Sequence, residues 1–502
     1  MKHNLLQPDS VKKNFAFQII YQVVILVIPL IVSPYLTRTM GSIALGTYTY
    51  TYSIAYYFVV FAMLGINKHG QRIIAQRRND SEKLRTTFWS LYFIHAVASI
   101  LSLAAYLVYV LVICGSDKEI ALIQGIYVFS ATLDITWLFY GLEKFKIVSI
   151  RNAIIKLIET FCIFMFVKSL SDLGVYTLIM TLSICIGQTV MLPQAVSAIS
   201  PIHLSKEDLV EHIKPLFTLF AAVVAATLYT MFDKTLIGIL STTENVAFYE
   251  YSDKIVKIPR TFITVIGTVL FPKACRYAAA NDKQGMKITM DNCLIVAYFI
   301  GFAAFFGLLS VADLFATTYY GDEFAICGTV MMSMSPLILI IGIGESVRSC
   351  YIYPLKRDTA MVKILTANAV INLVLSSLLI PKIGIYGAVA GTVVAELCGL
   401  ICEMCICRRY IVFKSFIAKG VPFSAIGLVM FIVIRIAADF MEISVSSLLI
   451  QILIGASVYL FLSFVYCYCL NSTTKQIIIG IKNKTKDPFL GSLAYLLNLT
   501  SN

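Results

Sequence analysis

Residues 233–260 read DKTLIGILSTTENVAFYEYSDKIVKIPR, and they are followed by TFITVIGTVLF, an apolar run that ends at Phe271. A helix needs about 20 residues to cross a hydrocarbon core of about 30 Å, so the run after Arg260 is too short. A crossing segment must start near Phe248 and take Glu250, Asp253, Lys254, Lys257 and Arg260 into the membrane. Each unpaired charge at mid-bilayer costs about 2.5–3.5 kcal/mol on insertion scales. Charges persist at that depth where they face one another or a water-filled cavity.

The rest of the chain agrees with a membrane setting. Of the 502 residues, 59% are hydrophobic and 14% charged, more apolar surface than a soluble chain of this size can hide. Hydropathy predicts an all-α, polytopic protein with about fourteen crossings. They fall at 15–36, 46–65, 87–114, 120–141, 150–168, 174–199, 213–240, 248–271, 291–312, 328–350, 361–381, 384–407, 421–440 and 446–469. The first run is too long for a signal peptide and is not followed by a small-residue cleavage site, so it reads as a retained helix.

The net charge of +12 is explained by topology rather than by nucleic acid. With the N-terminus inside, Lys and Arg crowd the inner segments, from Lys12 and Lys13 through Arg72, Arg77, Arg78, Lys144, Lys273, Arg276, Arg408 and Arg409 to Lys482 and Lys486. The outer segments hold only Arg38, Lys118, Lys168 and Lys382. This bias places both termini inside and leaves a basic inner face suited to anionic membrane lipids. The loops around 66–86 and 272–290 are patterned for short surface helices, as is 488–497 in the basic tail. The thirteen cysteines lie mostly in apolar stretches, and Cys402, Cys405 and Cys407 share one apolar helix with no second pair, so no metal site is expected.

Two segments repeat at an offset near two hundred residues. Tyr50-Thr51-Tyr52-Ser53 begins the second crossing and Tyr249-Glu250-Tyr251-Ser252 the eighth, each after a charged helix end. An even number of helices per unit makes the repeats parallel. The expected organisation is a six-helix lobe over 1–200, a second over 201–410, two additional helices over 411–470 and a basic tail over 471–502.

Within the eighth crossing, Glu250, Lys254, Lys257, Thr261, Thr264 and Thr268 fall at helical spacing and form one polar stripe, with Arg260 at its flank. Glu250 with Lys254 and Asp253 with Lys257 are i,i+4 pairs. The stripe is either an ion-pair network between packed helices or a wall of a cationic cavity; its excess positive charge favours an anionic ligand. Asp134 and Asp233 are candidates for ion coupling or for pairing with a neighbour such as Lys234. For Glu345, Glu396 and Glu403 a structural role is the expectation. Arg348, Lys363 and Arg435 lie near helix ends and are expected to snorkel. Gln18 and Gln22 lie on a polar stripe of the first helix. Tyr50 and Tyr52, with Tyr249 in the repeat, either offer sugar-stacking surface or form an interfacial belt. Nucleotide-binding, zinc-protease and nucleophile motifs are missing, which excludes an obvious ATP-driven engine within the chain.

Several stretches resemble the Wzx-type oligosaccharide flippases, a polysaccharide transport family within the multidrug/oligosaccharidyl-lipid/polysaccharide flippase superfamily, which includes the MATE exporters. They are Pro34-Tyr35-Leu36-Thr37-Arg38 with Gly41, Gly65 to Gly70 with Arg72, Leu133-Asp134-Ile135-Thr136-Trp137-Leu138-Phe139-Tyr140-Gly141-Leu142-Glu143-Lys144, Asp233-Lys234 with Gly238, and Asn372 with 381–387. At 67–70, Asn-Lys-His-Gly departs from the Tyr that the family more often has before Gly.

The resemblance implies a two-lobed bundle with alternating access, in a bacterial inner membrane. It implies a polyprenyl-diphosphate-linked oligosaccharide as cargo, with a polysaccharide polymerase and glycosyltransferases as partners. No covalent chemistry and no cofactor are implied; coupling to a proton or sodium gradient stays open. Arg38, Lys254, Lys257 and Arg260 are the expected diphosphate contacts. Gln18, Gln22, Tyr50, Tyr52, Tyr249, Thr261 and Thr264 would line the passage, and Asp134, Asp233, Lys234, Glu250 and Asp253 would couple an ion or form structural pairs. Two alternatives remain: a cation-coupled multidrug exporter, which calls for acidic rather than basic excess, and a membrane polymerase or transferase, which calls for larger outer loops or catalytic acids.

Overall fold

The computed structural model describes residues 11–115, 117–408, 410 and 413–467. The predicted tail segment at 488–497 lies outside the described residues. These are almost wholly helical, with no strand among them. The helices are α1 (Val11–Met63), α2 (Ile66–Arg77), α3 (Ser81–Val112), α4 (Lys118–Ser130), α5 (Thr136–Gly141), α6 (Phe145–Phe166), α7 (Leu173–Thr189), α8 (Leu192–Ala198) and α9 (Lys206–Leu240). They continue with α10 (Thr243–Ala279), α11 (Lys283–Phe315), α12 (Ile326–Met334), α13 (Pro336–Val347), α14 (Asp358–Ile383), α15 (Ile385–Ile406), α16 (Phe413–Ala438) and α17 (Val445–Val465).

Among the described residues, ten helices are long and apolar enough to cross a membrane, or up to eleven with a broken one. The chain is a multi-pass membrane protein. Two expected crossings fuse in α1, which bends at Gly41 (φ 69, ψ 179). The expected crossing 328–350 is broken at Ser335, where Pro336 takes the first position of α13, a place where its missing N–H is harmless. Residues 272–290 do not form the separate surface helix expected from their charge. Instead α10 runs on to Ala279 and α11 starts at Lys283, joined by a tight turn at Asn281 (φ 52) with Asp282 capping Gly285. Continuing an existing helix avoids the cost of a new nucleus.

The described residues form two compact units. Of the described residues, unit 1 holds those up to Ile255, with Tyr319–Ser333 and Val362–Gly399; unit 2 holds Val256–Thr318, Met334–Met361 and those from Leu400 onward. In unit 1 a core gathers around Trp137, Phe88, Leu138 and Phe139, all buried. Gly70 admits the Trp137 ring, since a Cβ there would lie 2.6 Å from it. Such close approach at small residues is how helices gain packing when lipid is as apolar as the core. Unit 2 packs Met290, Tyr298, Tyr351 and Phe416 into its own core. Ile31, Leu101 and Phe461 stay exposed, as lipid-facing side chains do.

α2 meets α9 through two buried imidazoles, with His69 Nε2 3.1 Å from His212 Nδ1. Arg77 closes the same contact with an ion pair to Glu211 and a 2.8 Å bond to Thr87.

Candidate membrane-embedded charge site

The charges of 233–260 fall into two sets. In unit 1, α9 and α10 join at Ser241 and Thr242, which lays Asp233 and Lys234 beside the first turns of α10. Lys234 forms a buried ion pair with Glu250. Lys254 Nζ is 3.7 Å from the other Glu250 oxygen and 4.0 Å from the centre of the Tyr251 ring, a cation–π arrangement. Asp253 is buried within electrostatic reach of Lys234. Asp233 Oδ2 accepts from the Tyr249 hydroxyl at 2.8 Å and from Thr392 Oγ1 at 2.8 Å. Asn372 donates to Thr392 Oγ1 at 3.0 Å. Asp233 Oδ1 and Ser376 Oγ, both buried, have no hydrogen-bond partner among the described residues.

In unit 2 the next turns of α10 line a groove of about 240 Å³ with Lys257, Arg260, Thr261, Thr264, Thr268 and Ile341. The Thr261 and Thr264 hydroxyls donate to their own helix, at Lys257 O and Arg260 O. Such back-bonds satisfy the donor and leave the hydroxyl lone pairs available to a ligand. The spacing that predicts one polar stripe thus puts Lys257 and the threonines on one wall.

Other residues singled out from the sequence sit apart from these sets. Arg38 is exposed and packs over Gly321, and its Nη1 reaches Pro34 O at 3.5 Å. Gln22 is exposed on α1; the Gln18 side chain lies outside the described set. Tyr52 stacks on Tyr127 with ring centres 5.2 Å apart, and Tyr50 covers Gly238. Asp134 Oδ1 accepts from Thr136 N at 2.8 Å and Thr136 Oγ1 at 2.6 Å. It therefore ties down Thr136, the first residue of α5, after a one-turn 3-10 segment, Ala131–Leu133. Trp137 of the same motif is wholly buried and donates to Asp134 O at 3.2 Å.

Arg348 corrects an expectation: it does not snorkel. It is 14% exposed and held between Glu345 and Glu403, because an acid on another helix of the same unit gives it an ion pair inside the protein. Sequence reading also passed over Glu323, whose Oε1 accepts from Ser42 N and Ser42 Oγ, both at 2.6 Å.

Two curated relatives are each named as a candidate O-antigen transporter. One, from Shigella dysenteriae, is 23% identical over 392 residues, covering 77% of this chain and 97% of the relative. The other, from Escherichia coli K12, is 22% identical over 340 residues, covering 67% and 82%. Among solved structures, the lipid II flippase MurJ in an inward closed conformation superposes with a TM-score of 0.71 at 18% identity, over 90% of this chain and 99% of that one. An inward-facing MATE multidrug transporter gives 0.54 at 12% identity, over 78% and 98%. The fold is therefore the MurJ/MATE transporter fold. The family described as "Polysaccharide biosynthesis protein" matches residues 11–277, more than half of the chain. This chain belongs to that polysaccharide biosynthesis protein family.

Proposed function

We propose that this protein flips polyprenyl-diphosphate-linked oligosaccharide units across a bacterial inner membrane by alternating access, for assembly of a surface polysaccharide. Membership of the polysaccharide biosynthesis family, with two relatives named for O-antigen transport, carries the reading. The chemistry of α10 supports it. A diphosphate requires cations in a wet, low-dielectric site, where each charge-assisted contact is stronger than in bulk water. Lys257 and Arg260 supply them beside a threonine-lined wall suited to sugar hydroxyls. The prenyl chain can remain in lipid, and no bond needs to be made or broken.

Lys257 and Arg260 are the leading anion contacts; Arg38 and Lys254 meet the diphosphate at a different step of its passage. Asp233, held by Tyr249 and Thr392, is the leading group for coupling to a proton or sodium gradient, with Lys234, Glu250 and Asp253 as its supporting ion-pair network. Asp134, whose carboxylate already holds Thr136, ranks behind Asp233 for coupling. The proposed lobes are 1–200 and 201–410, followed by helices over 411–470 and a tail over 471–502. Both termini are assigned to the cytoplasm, where glycosyltransferases supply the cargo; a polysaccharide polymerase receives it on the other side.

The test is complementation of a host lacking its own O-unit flippase, with this chain expressed beside the glycosyltransferases of its own locus. Restored surface polymer supports the reading. Accumulation of lipid-linked units at the inner leaflet, with the protein abundant in the membrane, would defeat it. Extrusion of cationic dyes without polymer would point to the exporter alternative.

A further inference from the structure

Two carboxylates and one guanidinium meet inside unit 2. α13 carries Glu345, the π-helical segment Arg348–Ile352 that follows carries Arg348, and α15 carries Glu403. Arg348 Nη1 donates to Glu403 Oε1 at 2.8 Å, and Nε and Nη2 both lie 3.3 Å from Glu345 Oε2. Ser349 Oγ donates to Glu345 Oε1 at 2.9 Å. The side chains of Glu345, Arg348 and Glu403 are 20%, 14% and 2% exposed.

One atom is left over. Glu403 Oε2 is buried without a hydrogen-bond partner. It faces Gly344, where a Cβ would lie 3.0 Å from this oxygen. With both acids ionised the group would carry a net negative charge with no counter-charge, which burial strongly opposes. Two carboxylates sharing one cation relieve this by keeping one proton between them.

The neighbours do not alter the balance. Tyr353 follows the π segment, with Asp358 beyond it at the start of α14. Cys407 lies past the end of α15, and Cys293 of α11 bonds Ser346 at 3.3 Å. Arg357 donates to the Ile406 carbonyl at 2.7 Å. From α10 the facing residue is Gly267, whose Cβ would lie 2.9 Å from Ser349 Oγ.

We propose that Glu345, Arg348 and Glu403 form a second, cargo-independent ion site that binds one exchangeable proton, carried on the Glu403 carboxyl. The site touches α10 at Gly267, where a Cβ would lie 2.9 Å from Ser349 Oγ and 3.5 Å from Glu345 Oε1, between Thr264 and Thr268 of the groove, so its protonation state bears on the helix that presents Lys257 and Arg260.

The full chain in lipid nanodiscs, with no cargo, tests this by infrared difference spectroscopy of the protonated carboxyl band between about pH 5 and pH 9. The expected result is a titrating band that is lost in Glu403→Gln and persists in Asp233→Asn. Glu345→Gln is the second variant. It leaves Arg348 and Glu403 as a neutral pair, so Glu403 stays ionised and the band is lost here too. A band unchanged in both variants overturns the proposal. So does a wild-type band that responds to sodium at fixed pH but not to pH. Because no cargo is present, the outcome is separate from success or failure of the flippase reading.

Discussion

The Tyr249 hydroxyl donates to Asp233 Oδ2 at 2.8 Å, tying α9 to α10 behind their two-residue turn. Thr392 of α15 donates to the same oxygen at the same distance, and Oδ1 is buried with no hydrogen bond among the described residues. Hydrogen bonds to a charged group contribute about 1.5–3 kcal/mol each, so the carboxylate is held in place through one oxygen. Asp233→Asn keeps the shape and removes the charge. It is expected to abolish the response of transport to an imposed proton or sodium gradient in inverted vesicles, with membrane abundance unchanged. Thr392→Val should weaken that response roughly tenfold or more, the equivalent of one such bond.

Lys254 and Lys257 are one helical turn apart yet differ in surroundings. Lys254 sits 4.0 Å from the Tyr251 ring centre beside Glu250, whereas Lys257 lines the groove with Arg260. Lys257→Ala and Arg260→Ala should each weaken binding of geranyl diphosphate roughly ten- to hundredfold, the loss of one charge-assisted contact. Lys254→Ala should weaken it less. Titration calorimetry of the purified variants measures the order; equal losses at all three positions would remove the distinction.

The polar stripe of α10 was legible because helical spacing fixes which residues share a face, and because insertion cost makes mid-membrane charges informative. Composition and the basic-residue bias were enough for a helical membrane fold, and the motif at 133–144 for the family. What periodicity does not carry is the partner. Asp233 and Thr392 are 159 residues apart, Arg348 and Glu403 55, and Ser42 and Glu323 281. Arg348 departs from the snorkelling expectation for that reason: near a helix end, water looks like the nearest relief until a second helix brings an acid. The tyrosines of 48–57 were ambiguous for the same reason, since stacking on Tyr127 is invisible in the local pattern.

Gly41 turns α1 with φ 69 and ψ 179, a backbone region that other residues enter only under strain. A Cβ there would also lie 2.9 Å from Glu323 Oε2. Gly41→Ala should therefore destabilise unit 1 by about 1–3 kcal/mol, read as a lowered Tm in detergent. Glu323→Ala removes the acceptor for Ser42 N and Oγ and should cost about 1 kcal/mol, as loss of a helix cap does. Glu323→Gln keeps an acceptor and should cost less.

His212 and His69 offer a pH test at the α2–α9 contact. Burial holds the His212 imidazole below the ordinary histidine value of 6.5, with Glu211 opposing and Arg77 assisting. Arg72 Nη2 also reaches His69 Nδ1 at 3.5 Å, and Asp208 lies nearby on α9. A depressed folded value means the unfolded state takes up protons first. The stabilisation is therefore complete above about pH 6.5 and is lost as pH falls below it. Protection from amide exchange across α2, corrected for the pH dependence of intrinsic exchange, should fall below that pH in wild type. In the double variant His69→Phe/His212→Phe, where neither buried imidazole is left to take up a proton, it should stay flat.

α10 spans 37 residues, about 55 Å of helix, which exceeds the hydrocarbon core and is long enough to carry its two ends to opposite sides of a membrane. One end is the turn at Thr242, which is exposed; the other is the turn at Asn281, also exposed, whose positive φ closes the link to α11. Lys273 and Arg276 sit at the Asn281 end, and positive residues favour the cytoplasmic side. In a background with the native cysteines replaced, Thr242→Cys should react with an impermeant maleimide added outside spheroplasts. Asn281→Cys should react only after the membrane is broken. The reverse pattern would invert the proposed orientation. Reaction of both from outside would show that α10 does not cross, and with it would fall the argument that its charges need partners.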